Sequence, residues 1–283
     1  MLPTIPRSNR YNWSYQLYIF LFFVYLIAPL VVVASFAFND SLFPSLPWKG
    51  FTWDWFINDT QPKLGLFHDR SLMNGIGVSF FVACCVTGLS IAIGTSNAFL
   101  FERYEFRFKQ FAYILMLLPL VIPGVILGIS ILVFSNTLAN GVEDHIGWDL
   151  ESLRPGLLLI VLGQFAFITT IATLVISARL KKFDRSLEEA AYNLGASRFE
   201  VLRTITLPYL RPAMLGAGVV AFLMSFENFN TTLMLVGSDA PLTIAMYDRL
   251  KEGSTPVLNA VSLFLMLGSA LLALISILVQ KEK

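Results

Sequence analysis

The chain has 283 residues, 56% of them apolar, 14% aromatic and 14% charged, with mean hydropathy +0.69 and net charge +1. Soluble domains carry about 25% charged residues, so the composition excludes a soluble globule, and the neutral balance excludes a general basic field for nucleic acid. Cys84 and Cys85 are adjacent in an apolar run, a spacing poor for a disulfide, and read as small buried side chains with no metal role.

Arg7 and Arg10 precede an apolar run over 15–38. A signal peptide is the competing reading, with Ser35-Phe36-Ala37 as its cleavage site. The run is longer than the 7–15 residues of a signal-peptide core and suits a spanning helix, with a kink expected at Pro29. A polar and aromatic loop with Trp48, Trp53 and Trp55 follows, as expected beside a membrane interface. The second span is read over 74–100, ahead of a basic turn with Arg103, Arg107 and Lys109. The third, over 111–134, holds Pro119 and Pro123; a simple kink and a cavity-lining break both fit, because freed carbonyls need partners inside a bilayer. An external loop is expected over 136–155, then a fourth span over 156–178 with Gln164, Thr169, Thr170, Thr173 and Ser177.

Residues 179–211 form a loop between spans, with a polar island over 186–208. Within it, Ser186 followed by Glu189, and Ser197 followed by Glu200, each fit a capping box. Gly195 fits the left-handed position that ends a helix, and Pro208 is expected to close a second short helix. Two helices this short are marginal alone and must be held at both ends. Ala190, Ala191 and Gly195 would let another backbone come close, beside the charges of Glu188 and Glu189. A solvated amphipathic loop is the alternative. The fifth span is read over 212–234, weakening at SFENFNTT, and the sixth over 257–279; residues 235–256 are an external loop, partly re-entrant. No appended soluble domain is expected, so 1–283 reads as one all-α transmembrane domain.

Placing both termini, the 101–110 turn and the 179–211 loop on one side collects fourteen Lys and Arg there, against six on the other. The positive-inside rule puts that side in the cytoplasm. There is no GxxxxGK[ST] phosphate loop, and His68 and His145 have no partners at metal spacing. No catalytic grouping, cofactor or metal site is expected.

Glu227 stands about fifteen residues, or roughly 22 Å, up the fifth helix from Pro212, beyond the midplane. An ionisable residue at that depth is a pathway or partner hypothesis, and Ser225, Asn228 and Asn230 keep it polar company. Two other readings stay open: the helix ends early and Glu227 is solvated, or it pairs with a partner subunit.

The spacing Glu189-Ala190-Ala191, three residues, Gly195, nine residues, Ile205, one residue, Leu207-Pro208 resembles the EAA motif of ABC importer membrane subunits at every fixed position. That resemblance implies a type I importer permease fold and a cytoplasmic coupling loop in which Glu188, Glu189, Ala190, Ala191, Gly195 and Ala196 dock on an ATPase subunit. LPLVIPGVILGISIL, the Ser-Phe-Glu-Asn stretch and Pro256 to Ala260 are similar to PotC-type permeases of spermidine and putrescine importers. The expected partners are two copies of an ATP-binding subunit, a second homologous permease and a periplasmic solute-binding protein in a bacterial inner membrane. The expected cargo is a small polar or cationic solute, a polyamine first; opine, amino-acid derivative, phosphonate and ferric iron permeases share the pattern. Polyamine permeases often carry paired aspartates after the Ser of the fifth span, where this chain has Glu227-Asn228. An ion-coupled secondary transporter is the rival class, although such carriers usually hold more intramembrane charge.

Overall fold

The computed structural model describes residues 9–253 and 255–281, all-helical in its regular structure. Arg7 and Lys283, two of the basic residues in the charge asymmetry, lie outside the described residues. In chain order, leaving aside the single turn Asp54–Ile57, the helices are α1 (Asn9–Phe36), α2 (Arg70–Arg103), α3 (Lys109–Val121), α4 (Gly124–Ile146) and α5 (Leu157–Leu180). The loop helix α6 (Ser186–Asn193) and the long α7 (Arg198–Phe226) follow, then α8 (Thr232–Leu235), α9 (Leu242–Glu252) and α10 (Pro256–Lys281). Among the described residues, α1, α2, α4, α5, α7 and α10 are long and apolar enough to cross a membrane.

The chain forms two compact units, one from Met1–Asp69 with Arg249–Leu267, the other from Arg70–Asp248 with Gly268–Lys283. In the first, the loop after α1 folds around the buried pair Trp55 and Asn39. The indole N–H donates to the Asn39 carbonyl at 2.9 Å, while the Asn39 amide group bonds Lys49 N and Ser45 O. Phe38 stacks on Phe51 and meets Trp53 edge-on. Lys63 joins Asp40 and Asp54, and the hydrogen bond to Asp40 raises its pKa. Arg249 pairs with the buried Asp69.

The second unit is built on α2, α5 and α7, which pack on one another most extensively. α5 has no single apolar face and is the most buried of the six, as expected of a central helix. Without a hydrophobic drive between helices in lipid, close approach through small residues takes over. Gly94 of α2 lies so near Ala172 of α5 that an added Cβ would stand 3.0 Å from the alanine methyl. Ser90 and Thr169 bond across the same interface at 3.2 Å. Cys84 is exposed and Cys85 half-buried, not buried as expected, because Val82, Ala83 and Val86 hold the core-facing positions of that turn.

Several boundaries differ from the sequence reading. The third span is two helices, parted at Ile122 and Pro123, whose ψ values of 128° and 135° are extended. A residue before proline is pushed out of the helical region, so the second proline breaks the helix instead of bending it. In the turn before Pro119, the Thr170 hydroxyl donates to the Met116 carbonyl at 2.7 Å. α4 runs to Ile146 and stops at Gly147, φ 76°, well inside the expected external loop. α1 is helical across Pro29 and α2 extends past the expected span at both ends.

Pro208 does not close a helix. The chain is helical from Arg198 to Phe226, with a wide turn over Leu202–Thr206 in which Leu207 N–H donates to the Leu202 carbonyl, five residues back. Proline would clash with the carbonyl four residues back in a regular helix; the wider turn accommodates it. The helix that carries the fifth span therefore begins at Arg198, within the loop, and ends at Phe226, short of the expected residue 234. The chain reverses through the single turn of α8, and α9 occupies part of the expected 235–256 loop.

Candidate functional site

Two clusters in the second unit carry the candidate residues. The first is the loop between α5 and α7. α6 opens differently from expectation: Ser186 is its first residue, and the amide of Ser186 donates to Asp184 Oδ1 at 3.0 Å. Asp184 sits two residues before Ser186 and already supplies the acceptor, so no Ser186–Glu189 capping box forms. That amide holds the Asp184 carboxyl below its ordinary range. The far end follows the sequence reading. Gly195 has φ 89°, Ala196 N–H donates to the Ala191 carbonyl at 3.0 Å, and Gly195 N–H donates to the Tyr192 carbonyl at 2.9 Å. This is a Schellman closure, which needs the left-handed residue. The Ser197–Glu200 capping box is formed in both directions, at 2.7 and 3.3 Å, and it lowers the Glu200 pKa through the Ser197 amide.

The side chains of this loop divide by direction. Glu189, Ala190 and Gly195 are exposed, Ala191 and Ala196 half-buried. Leu194 is 89% exposed and Phe199 69%, so the tip is an apolar knob with small residues beside it. Glu188 points the other way. Its two oxygens take both Nη atoms of Arg103 at 3.0 Å, and Thr206 Oγ1 donates to it at 2.6 Å. Arg185 donates to the Glu102 carbonyl at 3.1 Å, and Arg103 lies over the buried Phe183 ring, 5.4 Å from its centre. Arg103 and Thr206 were not legible as partners, because their pairing joins three segments far apart in sequence.

The second cluster is the end of α7. The four residues singled out there separate into two pairs. Ser225 is buried and donates to Gln164 Oε1, and Gln164 Nε2 donates to Thr232 Oγ1 at 2.8 Å. Asn228 Oδ1 accepts from the Thr232 hydroxyl and amide at 3.0 and 3.2 Å, and the Asn228 carbonyl accepts from Thr243 at 3.0 Å. Ser225 and Asn228 thus hold the chain reversal after the helix. Glu227 and Asn230 are exposed, and Glu227 caps the C-terminus of α7. Among the described residues no ion pair or side-chain hydrogen bond reaches its carboxylate. The early helix end is therefore the arrangement found.

Gln164 carries the sequence signal of this network, a lone amide in an apolar span, which is costly without partners; it is only 1% exposed. Gln164→Leu removes the partner of both Ser225 and Thr232. Hydrogen bonds between membrane helices average about 0.6 kcal/mol, but stranding a buried hydroxyl costs about 1–3 kcal/mol. Thr232 keeps Asn228 while Ser225 is orphaned, so about 1–2 kcal/mol is expected, read as a lowered unfolding midpoint of the purified protein.

No group of three or more His, Cys, Asp or Glu that could hold a metal occurs among the described residues. What the geometry offers is a knob-bearing loop tied to the ends of two long helices, and a polar chain reversal at the far end of one of them.

Comparison with known proteins gives the family and the fold. Residues 87–281 match the family model for the binding-protein-dependent transport system inner membrane component. The putrescine transport system permease PotI of Escherichia coli K12 is 31% identical over 242 residues, covering 85% of this chain and 81% of the relative. The spermidine/putrescine permease PotC of the same strain is 27% identical over 262 residues, 92% of this chain and 91% of the relative. In fold, the crystal structure of a bacterial ABC transporter for alginate import matches with TM-score 0.69 at 14% identity, over 99% of both chains. The family model spans more than half of the sequence and the helices follow an importer permease from end to end. The chain belongs to the binding-protein-dependent ABC transport permeases of the inner membrane, a multi-pass, non-catalytic subunit of a system that also requires an ATPase, a solute-binding protein and a partner permease.

Proposed function

We propose that this subunit forms half of the translocation pathway for a small cationic amine, putrescine or spermidine. One observation carries the reading: an exposed carboxylate, Glu227, at the C-terminal end of a membrane helix. The helix dipole is negative there, so the end of α7 and the Glu227 charge both favour a cation. The 31% identity to a putrescine permease supports the same solute class. A single carboxylate suits one ammonium group of a diamine; the partner permease would supply contacts for the other. Glu189, Ala190, Ala191, Gly195 and Ala196 are the docking surface of the loop, one of two such loops seated on two copies of the ATPase, and a periplasmic binding protein delivers the load.

The test is uptake of labelled putrescine by the assembled importer in proteoliposomes. Saturable, ATP-dependent uptake suppressed by excess spermidine supports the reading. Uptake suppressed instead by ferric chelates or phosphonates, with putrescine ignored, overturns it.

We further propose that both termini and the 179–211 loop are cytoplasmic, on the fourteen-to-six distribution of Lys and Arg. Ser186 is exposed, so Ser186→Cys in a background lacking Cys84 and Cys85 should react with an impermeant maleimide in inverted vesicles and stay unlabelled in intact cells. Labelling of intact cells would reverse the topology and remove the coupling role.

A further inference from the structure

Glu188 stands beside the motif glutamate, yet the two do different things. Glu189 is exposed. The Glu188 side chain is only 17% exposed and that of Arg103 15%, and they meet as a two-pronged fork, 3.0 Å on each prong. Arg and carboxylate in this geometry make two parallel charge-assisted bonds, which fix orientation as well as distance. Thr206 adds a third bond to the same carboxylate at 2.6 Å. The seat beneath is equally defined. Arg103 lies over Phe183, Phe183 meets Tyr209 edge-on at 5.0 Å, and Arg179 lies 4.2 Å over the Tyr209 ring.

The three bonded residues belong to three elements: Glu188 to α6, Arg103 to the last turn of α2, and Thr206 to the wide turn of α7. α6 has eight residues, too few to be stable alone, and its covalent links run only to α5 and α7. The fork, together with the Arg185 bond to the Glu102 carbonyl, adds a connection to α2 which the backbone does not provide. At its other end, α2 receives the chain just beyond the polar reversal: Leu242 N–H donates to Ser79 Oγ at 2.9 Å, and Gly75 packs on the Leu242 backbone. Thr243, the next residue, bonds the Asn228 carbonyl. A rigid helix thus has the coupling loop clasped to one end and the segment beside Glu227 to the other.

We propose that Glu188, Arg103 and Thr206 form a clasp that delivers displacement of the coupling loop to α2 as well as to α7, making Glu188 a positioning residue for coupling and not a docking residue. The inference rests on the coupling role proposed for this loop. Such transmission requires an element whose equilibrium both sites bias, and the clasp supplies a joint at which that link to α2 can be cut.

The experiment uses the importer with both permease chains and its ATPase. Glu188→Gln keeps the shape and weakens the fork; Thr206→Val removes one bond only. Binding-protein-stimulated ATP hydrolysis, divided by the unstimulated rate, should fall about tenfold in Glu188→Gln, the scale of losing one charge-assisted bond. It should fall less in Thr206→Val, while the ATPase co-purifies with both variants as with wild type. Exchange of the charges, Arg103→Glu with Glu188→Arg, should recover part of the ratio. An unchanged ratio in Glu188→Gln overturns the clasp, and so does loss of the ATPase, since Glu188 would then serve docking. If Glu188→Gln does not insert, an unchanged ratio in Thr206→Val decides against it. Wild-type complex that hydrolyses ATP without regard to the binding protein would instead sink the coupling reading, leaving the clasp without a motion to carry.

Discussion

Glu227→Gln should lower uptake of a cationic amine by about tenfold to a hundredfold, with complex yield unchanged. The range follows from losing one charge-assisted hydrogen bond, about 1.5–3 kcal/mol. The side chain is exposed and caps the C-terminus of α7, where a carboxylate opposes the helix dipole by about 0.3–1 kcal/mol. Neutralising it should therefore leave the folded subunit as stable as before, or slightly more so. If Glu227 instead pairs with a basic residue of the partner permease, truncating one member of a buried pair would cost about 3–5 kcal/mol, and assembly would fail before transport. Complex yield and labelled putrescine uptake, measured side by side, separate these outcomes. Unchanged uptake with unchanged yield would remove Glu227 from the pathway, and with it the residue-level case for a cation.

The second large effect is expected at the tip of the loop proposed to dock on the ATPase. Gly195→Glu should leave the subunit inserted and reduce binding-protein-stimulated ATP hydrolysis by about a hundredfold or more, as an uncompensated charge buried in an interface costs about 3 kcal/mol or more. Within this chain a Cβ at Gly195 meets nothing within 4 Å, so the subunit itself has room for the side chain. Backbone strain is the competing cause, because φ is 89° there and an L-residue in the left-handed region pays about 1–2 kcal/mol. Gly195→Ala carries that strain without bulk or charge. Near-normal stimulation in Gly195→Ala with loss in Gly195→Glu identifies docking; equal loss in both would assign the defect to the Schellman closure. Full stimulation in an assembled Gly195→Glu complex would refute the docking surface.

What was legible in the sequence was local. Gly195 and the Ser197–Glu200 box depend on contacts three to five residues apart, and both are found. The same locality explains the misreading at Ser186. Two acceptors competed for one helix start, and Asp184, two residues earlier, took the amide. Proline was read by its average effect and behaved in two ways: Pro123 broke a helix, while Pro208 was absorbed by a wide turn. Nothing in either tripeptide distinguishes those outcomes. They depend on what packs against the freed backbone.

The sequence by itself determined six apolar stretches, a capped polar loop with a spaced motif, and one carboxylate amid amides near the end of the fifth span. Hydrophobic length, capping chemistry and motif spacing are properties of neighbouring residues, so no fold is needed to read them. Only the tertiary structure decided which polar residues are spent on holding the protein together. Ser225 and Asn228 face Gln164, Thr232 and Thr243, while Glu227 and Asn230 remain exposed. Glu188 turned inward to Arg103, 85 residues away, while Glu189 beside it stayed outside. Adjacent residues on a helix point about 100° apart, and which of them meets a partner is set by helices that the local sequence does not contain.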